Sequence, residues 1–183
     1  MFIYNIKQNP EASSNHILDP DYSYNNHSQS QILYPYFKNI IIPNQVDSLI
    51  GIYMKYQITD IQYQKNPRPY ILSSPYIEKI IKKHLDFGWA NLYNFNSDHF
   101  FLTMFNTDKE YLLSALIKVY NEIQNKQFIH NDKQYCYQIK YGIFFSDPEI
   151  HPYQLYDNCQ HAFLDTLHHP NRFISFYSHS SFD

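Results

Sequence analysis

The sequence Tyr93-Asn-Phe-Asn-Ser-Asp-His-Phe-Phe-Leu102 decides the fold. A mostly polar stretch, residues 94–98, lies between two segments rich in aromatic and aliphatic side chains, residues 89–93 and 99–105. The approximate alternation of apolar and polar side chains in these segments is typical of β-strands, and a short polar connection between strands is typical of a β-hairpin. We therefore predict a hairpin whose turn carries Asn96, Ser97, Asp98 and His99.

Segments with helical and strand-like patterns alternate on both sides of this hairpin. Ser74 followed by Pro75 is a favourable helix start, and Thr107 with Glu110 forms a capping box before another helix. Such alternation predicts a sheet with helices packed on it. The predicted helices cover residues 32–42, 74–84, 107–124 and 152–167, and the further strands cover residues 48–56, 135–145 and 172–177. In the helix over 107–124 the predicted inward side chains are Leu112, Leu113, Leu116, Ile117, Tyr120 and Ile123.

Composition excludes several classes of protein. The formal net charge is -3 and the sequence has no basic stripe, which argues against nucleic acid as the main partner. No apolar run reaches the roughly 18 residues of a membrane-spanning helix, and residues 1–15 lack the apolar core of a secretory signal. Cys136 and Cys159 lie in apolar elements and are expected to be buried, reduced thiols. We expect a cytoplasmic protein without membrane insertion, with a polar leader or linker (residues 1–15) and one domain (residues 16–183).

The hairpin resembles the signature of GGDEF domains, the diguanylate cyclase family. Those domains carry Arg-aromatic-Gly-Gly-Asp-Glu-Phe at the turn, followed by an apolar strand. Asp98 and Phe100 match the signature. Asn96 and Ser97 stand in place of the two glycines, and His99 stands in place of the glutamate.

Three flanking segments are similar to the family in the same order and spacing. Leu18-Asp19-Pro20, followed by Asn26-His27, resembles the opening Asp-Pro-Leu-Thr-Gly-Leu-x-Asn-Arg of the family. Ile139-Lys-Tyr-Gly142-Ile-Phe falls where the family has its Ser-Ile-Gly strand, and residues 155–171 look like its closing helix and turn. The resemblance covers residues 16–178. It implies an α/β (α+β) fold, a single GGDEF/nucleotide-cyclase-like domain with a central mixed sheet of about five strands flanked by helices.

The resemblance also implies a metal site that this sequence has altered. In active members, two metal ions held by carboxylates bridge the triphosphate and activate a 3′-hydroxyl. The strand that supplies one carboxylate corresponds to residues 51–56, which contain no acidic side chain and include Lys55. His99 holds the second acidic position, and imidazole is a poor ligand for Mg²⁺.

Other nucleotide contacts of the family are altered as well. Asn96 and Ser97 fill space in a turn where glycines let backbone amides approach phosphate, and the chain has only three glycines, none adjacent to another. Asp60 and Pro69 stand at the positions that correspond to the base site. Leu167 stands at the phosphate-contacting position, and residues 87–90 stand at the product site. The degenerate signature turn is therefore expected to hold no catalytic residue, cofactor or metal ion.

Two signature residues have alternative interpretations. Asp98 is either a remaining active-site carboxylate or, as we favour, a turn-capping residue at the hairpin. His99 is more readily explained as a surface residue of the hairpin than as a general base. His161, His168 and His169 are expected to be surface or helix-capping residues rather than metal ligands.

The sequence thus predicts a catalytically inactive GGDEF-like signalling domain in cyclic di-GMP-related signalling. Its expected partner is another protein or an attached signalling domain, and a homodimer is a further form of contact. A non-catalytic GTP or cyclic dinucleotide sensor is one alternative, although nucleotide binding is not favoured. A residual nucleotidyl-transfer enzyme that uses His99 and Asp98 is the other.

Overall fold

A computed structural model of the chain describes residues 42, 44–60, 74–85, 87–95, 98–130, 133–169 and 171–178. Most of the predicted helix over residues 32–42 lies outside the described residues. The Pro-containing segment 61–73 does so too, as do Asn96 and Ser97 of the signature turn. The proposed boundary between residues 15 and 16 is therefore an expectation from sequence alone.

The described residues form an α+β fold built on one mixed sheet, as predicted. The sheet order is β2-β3-β1-β5-β4, these neighbours are antiparallel, and β6 pairs parallel to β5. The strands are β1 (Leu49–Asp60), β2 (Ala90–Asn94), β3 (His99–Phe105), β4 (Gln127–His130), β5 (Lys133–Ser146) and β6 (Ile174–Phe176). The helices are α1 (Ser74–His84), α2 (Lys109–Gln124) and α3 (Pro152–His168), with a 3-10 turn at Phe87–Trp89.

The predicted hairpin and its neighbours are confirmed, with two differences in the sheet. The sheet has six strands rather than about five, because the short strand β4 was not predicted. Four residues give too little periodicity to identify a strand, and β4 is defined by its pairing with β5. Strand β1 also runs to Asp60, beyond the predicted end at residue 56, because β5 is long enough to pair with it up to Tyr135.

The start of α2 lies one residue later than the capping box predicted. Asp108, rather than Thr107, is the N-cap, and its Oδ1 accepts hydrogen bonds from the amides of Glu110 and Tyr111, both at 2.9 Å. The Thr107 hydroxyl donates instead to the Phe105 carbonyl at 3.0 Å. A carboxylate at this position also interacts favourably with the positive end of the helix dipole.

The buried face of α2 is rotated from the predicted one. Ala115 and Val119 are buried, whereas Ile117, predicted to point inward, is 43% exposed. The predicted inward side chains of this helix did not include Ala115 or Val119. The buried residues of α2 are Leu112, Ala115, Leu116, Val119 and Ile123.

Apolar side chains cover both faces of the sheet. On one face, α1 and α2 pack against Ile50, Ile52 and Met54 of β1. On the other face, α3 packs against Leu49 and Tyr53, which point to the opposite side of the same strand. In the described part of the chain, no helix combines the length and the hydropathy needed to cross a bilayer.

Helix α3 lies unusually close to the sheet at two glycines. A Cβ atom at Gly142 of β5 would lie 2.1 Å from the Cys159 carbonyl oxygen and 2.2 Å from the Phe163 amide nitrogen. A Cβ atom at Gly51 of β1 would lie 2.6 Å from the Cys159 Sγ and 2.9 Å from a methyl carbon of Leu155. Backbone atoms of α3 therefore rest on Gly142, and side chains of α3 rest on Gly51.

We predict that Gly142→Ala is much more destabilising than Gly51→Ala. The added methyl group at residue 142 meets helix backbone, which has to move as a unit, and should lower the free energy of unfolding by about 3 kcal/mol. At residue 51 the neighbours are side chains that rotate, and the loss should be about 1 kcal/mol. Urea denaturation of both variants measures the difference. Equal losses would contradict the contact between β5 and the α3 backbone.

Candidate functional site

Three basic side chains form a row across three adjacent strands. Lys55 of β1 lies opposite His99 of β3 in one ladder and opposite Lys140 of β5 in the other. Residues directly opposite one another in antiparallel strands place their side chains on the same face of the sheet, with Cβ atoms roughly 5 Å apart. We name His99, Lys55 and Lys140 the basic row; it lies on the face covered by α3.

The carboxylate of Asp98 contacts two members of the basic row. Its Oδ1 lies 2.7 Å from Nδ1 of His99, and its Oδ2 lies 3.8 Å from Nζ of Lys55. The Asp98 and His99 side chains are largely shielded from solvent, whereas the Lys55 side chain is 39% exposed. The Asp98 carbonyl oxygen also accepts a hydrogen bond from the Tyr56 amide at 3.1 Å, which fixes the end of the hairpin against β1.

These contacts decide the ionisation of Asp98. Burial opposes ionisation of the carboxyl, but the close contact and charge of His99 and the charge of Lys55 outweigh burial. The pKa of Asp98 is consequently held below its usual value of 3.8. The carboxylate is negative at neutral pH, and basic side chains of this chain already surround it.

Lys140, at the other end of the basic row, is held by α3. Its Nζ donates a hydrogen bond of 2.5 Å to the carbonyl oxygen of Thr166, in the last turn of the helix. Burial lowers the pKa of Lys140. A cation beside the carboxyl end of a helix interacts favourably with the helix dipole, so Lys140 ties α3 to β5.

Aromatic rings form the floor of the site next to the basic row. Tyr53 makes an edge contact with the His99 ring at a centroid distance of 5.9 Å, and its ring lies 4.9 Å from that of Phe163. Tyr156 of α3 contacts both Tyr53 and Phe95, at 5.6 Å and 6.0 Å. Burial raises the pKa of Tyr156, so this phenol stays neutral.

The fold is similar to that of solved GGDEF domains. The chain superposes on the GGDEF domain of DgcB from Caulobacter crescentus in complex with c-di-GMP, with 5% identity, 83% of this chain and 85% of that chain covered, and a TM-score of 0.58. It superposes on the active GGEEF domain of a diguanylate cyclase from Vibrio cholerae, with 10% identity, 84% and 94% covered, and a TM-score of 0.54. The chain has the fold of a GGDEF domain.

A third structure with this fold is the diguanylate cyclase SiaD from Pseudomonas aeruginosa in complex with its activator SiaC. Here the identity is 10%, the match covers 82% of this chain and 57% of that chain, and the TM-score is 0.55. The sequence itself matches no protein-family model and no curated protein. The similarity therefore concerns the GGDEF fold.

The described residues of the predicted signature lie on different faces of the sheet. Asp98 and His99 lie in the site, and Lys55, predicted to place a cation there, lies 3.8 Å from the Asp98 carboxylate. Phe100 instead points to the opposite face of the sheet, where it is fully buried and its ring stacks on that of Tyr56 at 6.1 Å. Phe100 is thus a core residue that anchors the hairpin.

Of two expectations for the signature residues, that for His99 needs adjustment and that for Asp98 is untested. His99 is half-buried beneath the hairpin rather than a surface residue, because its ring packs on Tyr53. The described side-chain contacts of Asp98 are with His99 and Lys55, while the turn that we expected it to cap includes Asn96 and Ser97, outside the described part. Turn capping by Asp98 stays a prediction.

Sequence reasoning missed Lys140. Its position in the site follows from the register of β1 on β5, which brings together residues 85 positions apart. No local motif around Lys140 indicates this pairing. In the described ranges, no group of three or more His, Cys, Asp and Glu side chains is arranged to hold a metal ion.

We predict that Asp98→Asn lowers stability at neutral pH but not in acid. Because the folded pKa of Asp98 is below the unfolded pKa, its contribution is present above the unfolded value and is lost as pH falls through the folded one. The variant should be about 1–2 kcal/mol less stable at pH 7. The difference should shrink between about pH 5 and pH 3. Urea unfolding across pH measures it, with the exposed Asp147→Asn as the control; a constant difference would contradict the ion pair.

Proposed function

We propose that this chain is a non-catalytic GGDEF-like domain of cyclic di-GMP-related signalling, acting in the cytoplasm through contact with a protein partner or an attached signalling domain. The observation that carries the proposal is the contact of Asp98 with Lys55 and His99. Lys55 and His99 contact the carboxylate of Asp98. By the resemblance, Asp98 is the one acidic residue of the signature that this sequence keeps. The scaffold is retained, while the chemistry at its signature has changed.

Charge explains why this arrangement disfavours turnover. The chemistry implied by the resemblance needs two divalent cations held by carboxylates beside a triphosphate. The Lys55 ammonium, 3.8 Å from Asp98, repels a divalent cation from that carboxylate. Strand β1 has no acidic residue from Leu49 to Thr59, and imidazole does not replace the hard oxygen ligands of Mg²⁺.

One structural neighbour supports the proposed contact with a protein partner. SiaD is seen in complex with its activator SiaC, which is an example of a protein with the GGDEF fold bound to a protein partner. The proposed contact of this chain is of that general kind, with another protein, an attached domain or a second copy of itself. Sedimentation over a concentration series separates self-association from contact with a different partner.

We predict that the purified chain does not make cyclic di-GMP from GTP with Mg²⁺ or Mn²⁺. The altered acidic positions leave too few oxygen ligands to position two metal ions, so turnover should be at least 10³-fold below that of an active domain, or about 4 kcal/mol in barrier. The measurement is product formation by chromatography. The active GGEEF domain from Vibrio cholerae serves as the control. Catalytic turnover comparable to that of the control would refute the proposal.

A second candidate, a nucleotide sensor without turnover, is favoured by the basic row. Lys55 and Lys140 are positively charged groups on the face of the sheet where Asp98 lies, and the DgcB domain with this fold holds c-di-GMP. A GTP or cyclic dinucleotide sensor would use binding energy to alter a partner contact.

Calorimetric titration distinguishes the two candidates. If the domain acts by protein contact alone, GTP and cyclic di-GMP should show no affinity in the micromolar range. The altered signature turn and the Lys55 ammonium group beside Asp98 disfavour a triphosphate with its metal ions. Heat changes that fit a Kd of about 10 μM, or roughly -7 kcal/mol, would favour the sensor. Titration of the Lys55→Gln variant is the matched control, since a signal from the site should weaken there.

A further inference from the structure

We infer that the outer edge of β2 pairs with the same edge of a second copy of the chain, so that two sheets join into one across a two-fold axis. The inference rests on the proposed function, because it names a second copy as the protein partner of the domain. The two β2 strands run antiparallel in this pairing, and Asn91 of each copy lies at the axis.

The first argument is that β2 has backbone groups that point out of the sheet. Strand β2 stands at the end of the strand order, and in the described part of the chain only β3 pairs with it. The Phe95 amide donates to the His99 carbonyl at 3.1 Å, and from that pair every second residue of β2 bonds to β3. Ala90 and Leu92 are the intervening residues, so their N–H and C=O groups point to the open side.

The second argument is that this edge lacks the side chains that keep strands of different molecules apart. Exposed edge strands commonly carry lysine, other charged residues or proline, which block pairing with another chain. The sequence from Phe87 to Phe95 contains no charged residue and no proline. The side chains of β2 are mostly half-buried, so solvent reaches this edge. The edge is therefore open to a further strand.

The third argument selects a second copy as that strand. With Asn91 at the axis, Ala90 of one copy lies opposite Leu92 of the other, and each such pair exchanges two backbone hydrogen bonds. Asn91 lies opposite itself, where an amide can pair with its own kind because it both donates and accepts. A charged side chain in that place would instead face its own charge, which destabilises a pair of strands.

Aromatic side chains lie at both ends of the same pairing. Trp89 directly precedes β2 and is 50% exposed. The two-fold axis places it beside Tyr93 of the other copy, whose ring is held in place by stacking on Phe95 at 6.5 Å. Cross-strand aromatic pairs stabilise antiparallel sheets. The pairing thus covers an exposed tryptophan at each end.

The dimer is expected to be weak. A standard interface buries roughly 800 Å² per partner, and two strands of five residues bury much less than that. We therefore expect a Kd on the order of 100 μM. A dimer of this strength forms when copies are concentrated and separates on dilution.

The test is sedimentation equilibrium with amide hydrogen exchange on the whole chain, from about 10 μM to about 1 mM. The average mass should rise from that of one chain toward that of two. Exchange of the Leu92 amide should slow roughly fourfold over this range, because the group points to solvent in the monomer and is bonded in the dimer. The Tyr93 amide bonds to β3 in both states and should not change.

Two variants tie the dimer to this edge. Ala90→Pro removes an outward N–H, and Asn91→Lys places like charges at the axis, so each should raise the Kd at least about fivefold. Ala90→Ser keeps the N–H, and Ile117→Lys changes an exposed apolar side chain on α2. These two are the matched controls and should keep the Kd of the unmodified chain. Asn91→Lys decides the matter if Ala90→Pro does not fold.

The outcomes separate this inference from the proposed function. A chain that stays monomeric up to about 1 mM would overturn the edge pairing and leave a strand of a different protein as the occupant. A dimer whose Kd is unchanged in Asn91→Lys, or equal slowing of the Leu92 and Tyr93 amides, would overturn it too. Formation of cyclic di-GMP from GTP would contradict the proposed function instead. A dimer that the edge variants weaken and the controls keep supports the pairing.

Discussion

The contact of α3 with the sheet at Gly51 and Gly142 is the constraint on which the rest of the structure depends. With no side chain at these positions, Cys159 and Phe163 rest on the central strands with backbone and side-chain atoms. The close approach fixes the height and direction of α3. It thereby sets where the last turn of the helix meets β5 and where the aromatic floor lies beneath the hairpin.

The candidate site is a consequence of that placement. Helix α3 lies on Gly142, and Lys140 precedes Gly142 by two residues on β5. The Thr166 carbonyl of the helix therefore accepts a hydrogen bond from the Lys140 ammonium group. Tyr53 of β1 is then enclosed between Phe163 and His99. The ladder pairs hold Lys55 between Lys140 and His99, and Asp98 closes the arrangement from the hairpin. A GGDEF fold is therefore combined here with a carboxylate, that of Asp98, that lies beside His99 and Lys55.

Much of this fold follows from local sequence, and much of the site does not. The hairpin, α1 and α3 were predicted closely, since alternating aromatics, a Ser-Pro start and a strong apolar face are short-range signals. The predicted N-cap of α2 was Thr107, but the adjacent Asp108 is the N-cap in the structure. Strand β4 has only four residues, which is too few to show a periodic pattern. Lys140 lies in the site because β5 pairs with β1, a strand that is distant in the sequence. This pairing is a long-range property, so a short segment of sequence does not predict it.

The central claim is that Lys55, not a metal ion, is the counter-charge of Asp98. A crystal grown with Mn²⁺ and a non-hydrolysable GTP analogue, with anomalous scattering used to locate manganese, tests it most directly. The account predicts no manganese peak at the Asp98 carboxylate and the Lys55 ammonium group still about 4 Å from it. Two manganese ions bridging a triphosphate at Asp98, with Lys55 displaced, would contradict it.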